Sequence, residues 1–194
     1  AQQKLASWQQ LDYISANERH IGILGLGELG KCSAQALVKN GFKVSGWSNT
    51  QKNIQGVECL FSQKGLEKLI TQVDIVVCLL PLTAETKELI NSDFLAKMKK
   101  GSAIINFARG AIINHQHLIR KLNKRHIEHA VLDVFEHEPL DENSVLWQHP
   151  NITILPHISA PTHIESASTL VVQRISSFVS SGKVPECIDI AKGY

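Results

Sequence analysis

Six residues, Gly25-Leu26-Gly27-Glu28-Leu29-Gly30, restrict this chain more than any other stretch. They follow the short apolar run Ile21-Gly22-Ile23-Leu24 and open a segment, residues 28–39, with Leu29, Ala36 and Leu37 among its apolar helical positions. A GxGxxG string carries little weight alone; between a strand and a helix it has a mechanism. Gly25 permits a tight turn, Gly27 lets backbone approach a pyrophosphate, and Gly30 lets helix and strand pack closely. The helix start presents free N–H groups and a positive dipole end to phosphates. A glycine-rich turn without a ligand is the bland alternative. Gly25, Gly27, Glu28, Leu29 and Gly30 are therefore candidate cofactor-binding residues.

The rest of the chain repeats the strand–helix alternation. Gly41 is a helix stop, residues 42–47 read as a second strand, 57–61 as a third and 64–71 as a helix. Residues 74–80 are almost continuously apolar, the pattern of a strand covered on both faces in a parallel sheet. Residues 83–89 and 92–97 read as short helices, 103–107 as a strand, and Asn114 as the cap of a helix reaching residue 123. Residues 129–134 and 152–155 close the sheet. A final amphipathic helix, 161–179, carries Ile164, Ala167, Leu170, Val171 and Ile175 at helical spacing. The fold class is α/β, a doubly wound parallel (Rossmann) sheet with ligands at the carboxyl ends of its strands. Three parts are expected: an N-terminal helix or arm (1–18) with Leu5, Trp8 and Leu11 as an apolar stripe, a dinucleotide-binding domain (19–160), and a C-terminal helix and tail (161–194).

The formal net charge of +2 implies neither a nucleic-acid nor an anionic-membrane partner. The basic run 120–125 reads either as a phosphate patch or as the solvated end of a helix, where cations suit the dipole. No apolar run approaches the ~18 residues of a membrane span, since 75–80 is ended by Pro81. Cys32, Cys59, Cys78 and Cys187 lack CxxC spacing and neighbouring His ligands, so neither a metal site nor a disulfide framework is expected. Cys78 reads as a buried small hydrophobe, and a reducing, cytoplasmic setting fits. The start Ala1-Gln2-Gln3-Lys4, without Met, reads as that of a processed or excised fragment.

Three strings in the second half carry chemistry: Ala108-Arg109-Gly110, Glu138-Pro139 and Pro156-His157. Each lies at or beyond the end of an apolar run. Arginine's planar fork matches a carboxylate bidentately, although an Arg at a strand end also serves as a surface ion-pair residue. Imidazole is the usual general acid near neutral pH. A glutamate beside it would orient the ring and keep it protonated, and the sequence leaves open whether Glu138 reaches His157. Of the nine histidines, His115, His117, His126, His129 and His137 lie in polar stretches and read as solvated.

An acidic residue at the end of the second strand would bond a ribose 2′-hydroxyl and favour NAD. Here the stretch is Trp47-Ser48-Asn49-Thr50-Gln51-Lys52, with no carboxylate to repel a 2′-phosphate. Ser48, Asn49 and Thr50 can donate to one and Lys52 can add charge. The reading leans to NADP over NAD; plain turn residues are the alternative.

The segments 107–110, 132–140 and 155–160 resemble the signature segments of the D-isomer-specific 2-hydroxyacid dehydrogenases. Leu80-Pro81-Leu82-Thr83 with Thr86 resembles that family's nicotinamide-side loop, and the similarity runs from about Ile21 to the C-terminus. Residues 146–150 and 191–194 resemble its glyoxylate/hydroxypyruvate reductase A branch. The resemblance implies that Arg109 binds the substrate carboxylate and carbonyl, that His157 donates the proton and that Glu138 supports it. It implies that Asp133 contacts the nicotinamide carboxamide, and that Leu80, Pro81, Thr86 and Ala108 line the cofactor. Branch members tend to carry arginines near the second-strand end where Asn49 and Gln51 stand, so NAD stays open beside NADP. The family's substrate domain lies mostly before the nucleotide domain, and the short stretch preceding Gly25 is far below the size of a domain.

The resemblance thus implies a reductase of small 2-oxo acids to 2-hydroxy acids with NAD(P)H, acting as a homodimer. Two alternatives stand beside it. One is a cofactor-binding, dimerising fragment without activity of its own. The other is a dinucleotide-sensing, corepressor-like regulator on the same scaffold.

Overall fold

The computed structural model describes residues 2–10 and 12–185. Expectations resting on Leu11, Cys187 and residues 191–194 fall outside them. The described residues form a seven-stranded, wholly parallel sheet. The strands are β1 (His20–Leu24), β2 (Lys43–Trp47), β3 (Glu58–Leu60), β4 (Ile75–Cys78), β5 (Ser102–Asn106), β6 (Ile127–Leu132) and β7 (Ile152–Ile154). The helices are α1 (Glu28–Lys39), α2 (Ser62–Gln72), α3 (Ser92–Lys97), α4 (His115–Asn123) and α5 (Ile164–Ser181).

The strand order β3-β2-β1-β4-β5-β6-β7 reverses direction at β1/β4, the doubly wound arrangement whose crevice opens at that reversal. Successive strand residues point to opposite faces. Ile21 and Ile23 join Ala34, Val44 and Ile54 in the smaller core, while Leu24, Val76, Cys78, Ile104 and Leu132 join the larger one with Leu66, Leu69, Phe94, Leu95 and Leu118.

Five expectations change. The Leu5–Trp8 stripe forms no packed helix: only Gln2–Leu5 coils, as a 3-10 turn, and Trp8 is fully exposed. Residues 83–89 make turns instead of a helix. The Thr86 hydroxyl donates to the Pro81 carbonyl (2.7 Å) and accepts from the Thr83 N–H (2.7 Å), while Glu88 takes a left-handed φ of 49°. Such side-chain bonds compete with a helical ladder. In β4, Val76 and Cys78 are buried but Ile75 and Val77 only half so. Helix α5 forms and is capped by Gly182 at φ 66°, yet none of its residues is buried. His115 is not solvated: its ring lies 6.0 Å from that of Phe135, and burial lowers its pKa.

Other readings hold. Asn114 caps α4, its side chain accepting from the His117 N–H at 3.0 Å. The basic run is the end of that helix, with Lys124 as its C-cap. Cys78 is fully buried, and desolvation pushes its thiol up to about 12. No helix among the described residues is long and apolar enough to cross a membrane.

Candidate active site

One register line crosses the carboxyl edge of the sheet. It runs Trp47–Leu24–Cys78–Asn106–Leu132–Ile154 through five parallel pairings. The residue after each of the first five is Ser48, Gly25, Leu79, Phe107 and Asp133, so the sequence-derived site residues share one edge. Most of these loops are still tied to the sheet. Gly25 N–H donates to the Trp47 carbonyl (2.8 Å), Leu79 to Leu24 (2.8 Å), Phe107 to Cys78 (3.2 Å), Asp133 to Asn106 (3.1 Å) and Leu155 to Leu132 (2.9 Å).

At the β1–α1 turn the glycines are sterically required. Gly25 has φ 98°, and a Cβ there would lie 2.7 Å from the Leu79 carbonyl oxygen. A Cβ on Gly30 would lie 1.8 Å from the Gly25 carbonyl oxygen. Gly27 differs: it is the exposed N-cap of α1, and a Cβ there meets nothing within 4 Å. The open approach to a helix start at Gly27, rigidly backed at Gly25 and Gly30, fits a pyrophosphate. Glu28 and Leu29 are exposed in the first turn. At the end of β2, Ser48 is buried with its hydroxyl committed to the Thr50 carbonyl at 2.7 Å. It shapes the turn, leaving Asn49, Thr50 and Lys52 exposed. Leu80 and Thr86 are buried and Pro81 half-buried in the next loop.

Arg109 is exposed on a loop that Asn106 builds. The Asn106 side chain, fully buried, accepts from the Ala108 N–H (3.1 Å) and donates to the Arg109 carbonyl (3.0 Å). The guanidinium donates to the Ala108 carbonyl at 2.7 Å, and no carboxylate among the described residues pairs with it. An exposed arginine with its fork left for an incoming anion is suited to a substrate carboxylate.

Glu138 and His157, left apart in the sequence, meet here because β6 and β7 are neighbours. His157 Nδ1 lies 2.7 Å from Glu138 Oε2, and Glu138 Oε1 accepts the Phe135 N–H at 2.8 Å. The His157 hydrogen bond, then the Phe135 N–H, hold the Glu138 carboxyl below its usual range. With Nδ1 on the carboxylate, Nε2 is the nitrogen left to exchange a proton.

Asp133 is only 2% exposed, with its carboxylate turned back on the protein. It accepts the N–H groups of Ile158 (2.8 Å) and Ser159 (3.0 Å), while its carbonyl accepts the His157 N–H (2.9 Å). Burial alone would push this carboxyl up; the Ile158 and Ser159 N–H groups outweigh it and hold it low. These three bonds keep His157 at φ 55°, a left-handed conformation that costs a non-glycine residue ~1–2 kcal/mol. As the structure stands, Asp133 shapes the histidine loop.

Residues 1–159 match the family model described as the D-isomer specific 2-hydroxyacid dehydrogenase, NAD binding domain. The chain belongs to that family. It is 36% identical over 189 residues to glyoxylate/hydroxypyruvate reductase A of Citrobacter koseri, covering 97% of this chain and 61% of that protein. It therefore spans less than two thirds of that relative's length. A D-isomer specific 2-hydroxyacid dehydrogenase of Xanthobacter autotrophicus Py2, solved with NADPH and MES, superposes with TM-score 0.94 at 37% identity, covering 100% of this chain and 80% of that one. The NADPH-dependent glyoxylate/hydroxypyruvate reductase of Sinorhizobium meliloti, solved with NADP and sulfate, gives 0.95 at 32%, covering 100% and 62%.

Two residues that shape this site, Asn106 and Gly110, are not marked as site residues by the sequence. Asn106 ends the apolar run Ala103-Ile104-Ile105 of β5, a polar exception visible in the sequence. Gly110 stands in the sequence only as the neighbour of Arg109; the close approach of its backbone to Phe135 is tertiary and leaves no local signal.

Proposed function

We propose that the protein reduces a small 2-oxo acid of the glyoxylate or hydroxypyruvate type to its 2-hydroxy acid. The 2.7 Å pairing of His157 with Glu138, one strand from an unpaired Arg109, carries this reading. NAD(P)H, when bound, supplies the hydride. Gly25, Gly27 and Gly30 with the start of α1 would hold its pyrophosphate, and Leu80, Pro81, Thr86 and Ala108 would line its nicotinamide side, with Asp133 fixing the adjoining histidine loop. Arg109 holds the substrate carboxylate and polarises the carbonyl. His157 Nε2 gives its proton to the oxygen at C2 as charge develops there, and Glu138 keeps the ring oriented and the imidazolium stabilised.

The cofactor is NADP in preference to NAD. The exposed Asn49, Thr50 and Lys52 carry no negative charge against a 2′-phosphate, and two of the relatives above were solved with NADPH or NADP. A cytoplasmic homodimer completes the reading. The curated relative's description as a reductase favours this over a corepressor-like regulator.

The test is a titration of the full-length protein with NADPH and NADH, followed by turnover on a panel of 2-oxo acids. Reduction of glyoxylate or hydroxypyruvate with tighter NADPH binding is expected. Cofactor binding without turnover of any 2-oxo acid would overturn the reading. The 194-residue chain alone is expected to bind cofactor with little turnover.

A further inference from the structure

The Arg109 loop and the Glu138 loop meet backbone to backbone at Gly110. A Cβ placed on Gly110 would lie 2.0 Å from the carbonyl carbon of Phe135, 2.3 Å from the nitrogen of Glu136 and 2.4 Å from the Phe135 Cα. These atoms belong to the residue whose N–H holds Glu138 Oε1, and to the peptide that follows it. Gly110 has no left-handed φ, so its backbone does not require glycine; the space does.

The two sides of this contact differ in freedom. Gly110 opens the 3-10 turn Gly110–Ile112, which is fastened to the core. Ile112 is fully buried, its carbonyl accepts the Ile90 N–H (3.0 Å), and the Ala111 carbonyl accepts the Glu88 N–H (2.8 Å). Across the contact, Phe135 is buried but Glu136, His137 and Glu138 are exposed. A close-packed interior passes on displacement because it has no slack. Added bulk at 110 therefore bears on the Phe135–Glu136 peptide, from which the exposed loop carrying Glu138 continues.

We propose that Gly110 is a positioning residue, its bare backbone setting the place of the Phe135–Glu136 peptide and, through the Phe135 N–H, of Glu138 beside His157. The contact joins the two halves of the site: one short segment presents Arg109 and registers the glutamate of the acid/base pair. This role rests on the proposed function insofar as it concerns catalysis; the geometric part stands apart from it.

The test is Gly110→Ala in the full-length protein, with Glu138 followed by carboxyl carbon NMR in the absence of cofactor and substrate. Glu138 should titrate nearer its ordinary value than in the wild type. Turnover should fall about 10- to 100-fold, as for a displacement of about 1 Å at a reacting group, with cofactor affinity retained. In a Glu138→Gln background the same alanine should cost little more, because both changes act on one link. A folded Gly110→Ala protein whose Glu138 titration is unmoved, or whose cost multiplies fully with that of Glu138→Gln, would overturn the proposal. If the alanine variant does not fold, the wild type decides. The Phe135 amide resonance must follow the Glu138 titration, and an amide that ignores it overturns the link. A shifted Glu138 titration in a protein that reduces no 2-oxo acid would support the positioning while refuting the reaction.

Discussion

The sheet carries a histidine with a carboxylate nearby at each of its two edges, and they are built to opposite ends. At the carboxyl edge, His157 bonds Glu138 directly, and their side chains are 52% and 35% exposed. At the amino edge His20 is only 7% exposed. Its Nε2 lies 2.8 Å from Ser45 Oγ, and Ser45 donates to Glu58 Oε2 at 2.8 Å. Serine, histidine and glutamate together suggest a nucleophilic triad. The order is wrong for one: the carboxylate sits on the serine, not on the far side of the imidazole, and Lys68 closes it off at 2.6 Å. Asp74 accepts the backbone N–H of His20 at 2.8 Å and pairs with Lys99. The amino edge is a knot of satisfied polar groups between strands; the carboxyl edge leaves an imidazole and a guanidinium facing outward.

The comparison breaks most simply by exchange of roles. His157→Ala should lower turnover by about 10²–10⁴-fold with cofactor affinity nearly intact, whereas His20→Gln should leave turnover unchanged; steady-state kinetics on both variants decides. Next in size, Arg109→Lys loses the fork but keeps the charge. It should raise KM for the 2-oxo acid by roughly 10- to 100-fold, the worth of a charge-assisted hydrogen bond. Gly25→Ala should cost ~1–3 kcal/mol in urea unfolding, since φ 98° and the Leu79 carbonyl oppose a side chain there.

The smallest effect concerns pH. Burial, then Lys43, lower the His20 pKa, with Glu58 and Asp74 opposing and Lys99 assisting. The folded protein thus binds fewer protons at His20 than the unfolded chain. Its contribution to stability is complete above the ordinary histidine value of 6.5 and is lost as pH falls through the lower folded value. His20→Gln should flatten the dependence of Tm on pH just below 6.5, by on the order of a few degrees or less. An unaltered slope would place the acid sensitivity elsewhere.

The strand–helix order was legible because apolar runs and glycine stops are local signals. The turn at residues 83–89 was not, since Ala84, Glu85, Lys87 and Leu89 are good helix formers while the Thr83 and Thr86 hydroxyls bond the backbone instead. The periodicity of α5 shows which face is apolar but cannot show that no described residue buries it. Arg109, Glu138 and His157 stood out by residue type at strand ends; that the last two touch depends on the adjacency of β6 and β7. The resemblance assigns Asp133 to the nicotinamide, and its bonds to the Ile158 and Ser159 N–H groups are invisible in the sequence because they join residues 25 and 26 positions apart with no local motif. The half-buried His115 likewise sits in a polar stretch, and its packing against Phe135 is a tertiary contact.

The shared register line at the carboxyl edge makes the sheet a ruler for this site. Losing one residue from β5 or β6 would draw Arg109 or Asp133 back by about 3.3 Å and turn alternate side chains to the other face. Apart from positions such as Gly25, Gly30 and Gly110, where a side chain has no room, the loops can vary in composition so long as the count of residues up to each strand end is kept. In this site, spelling is negotiable at many positions and the reading frame of the strands is not.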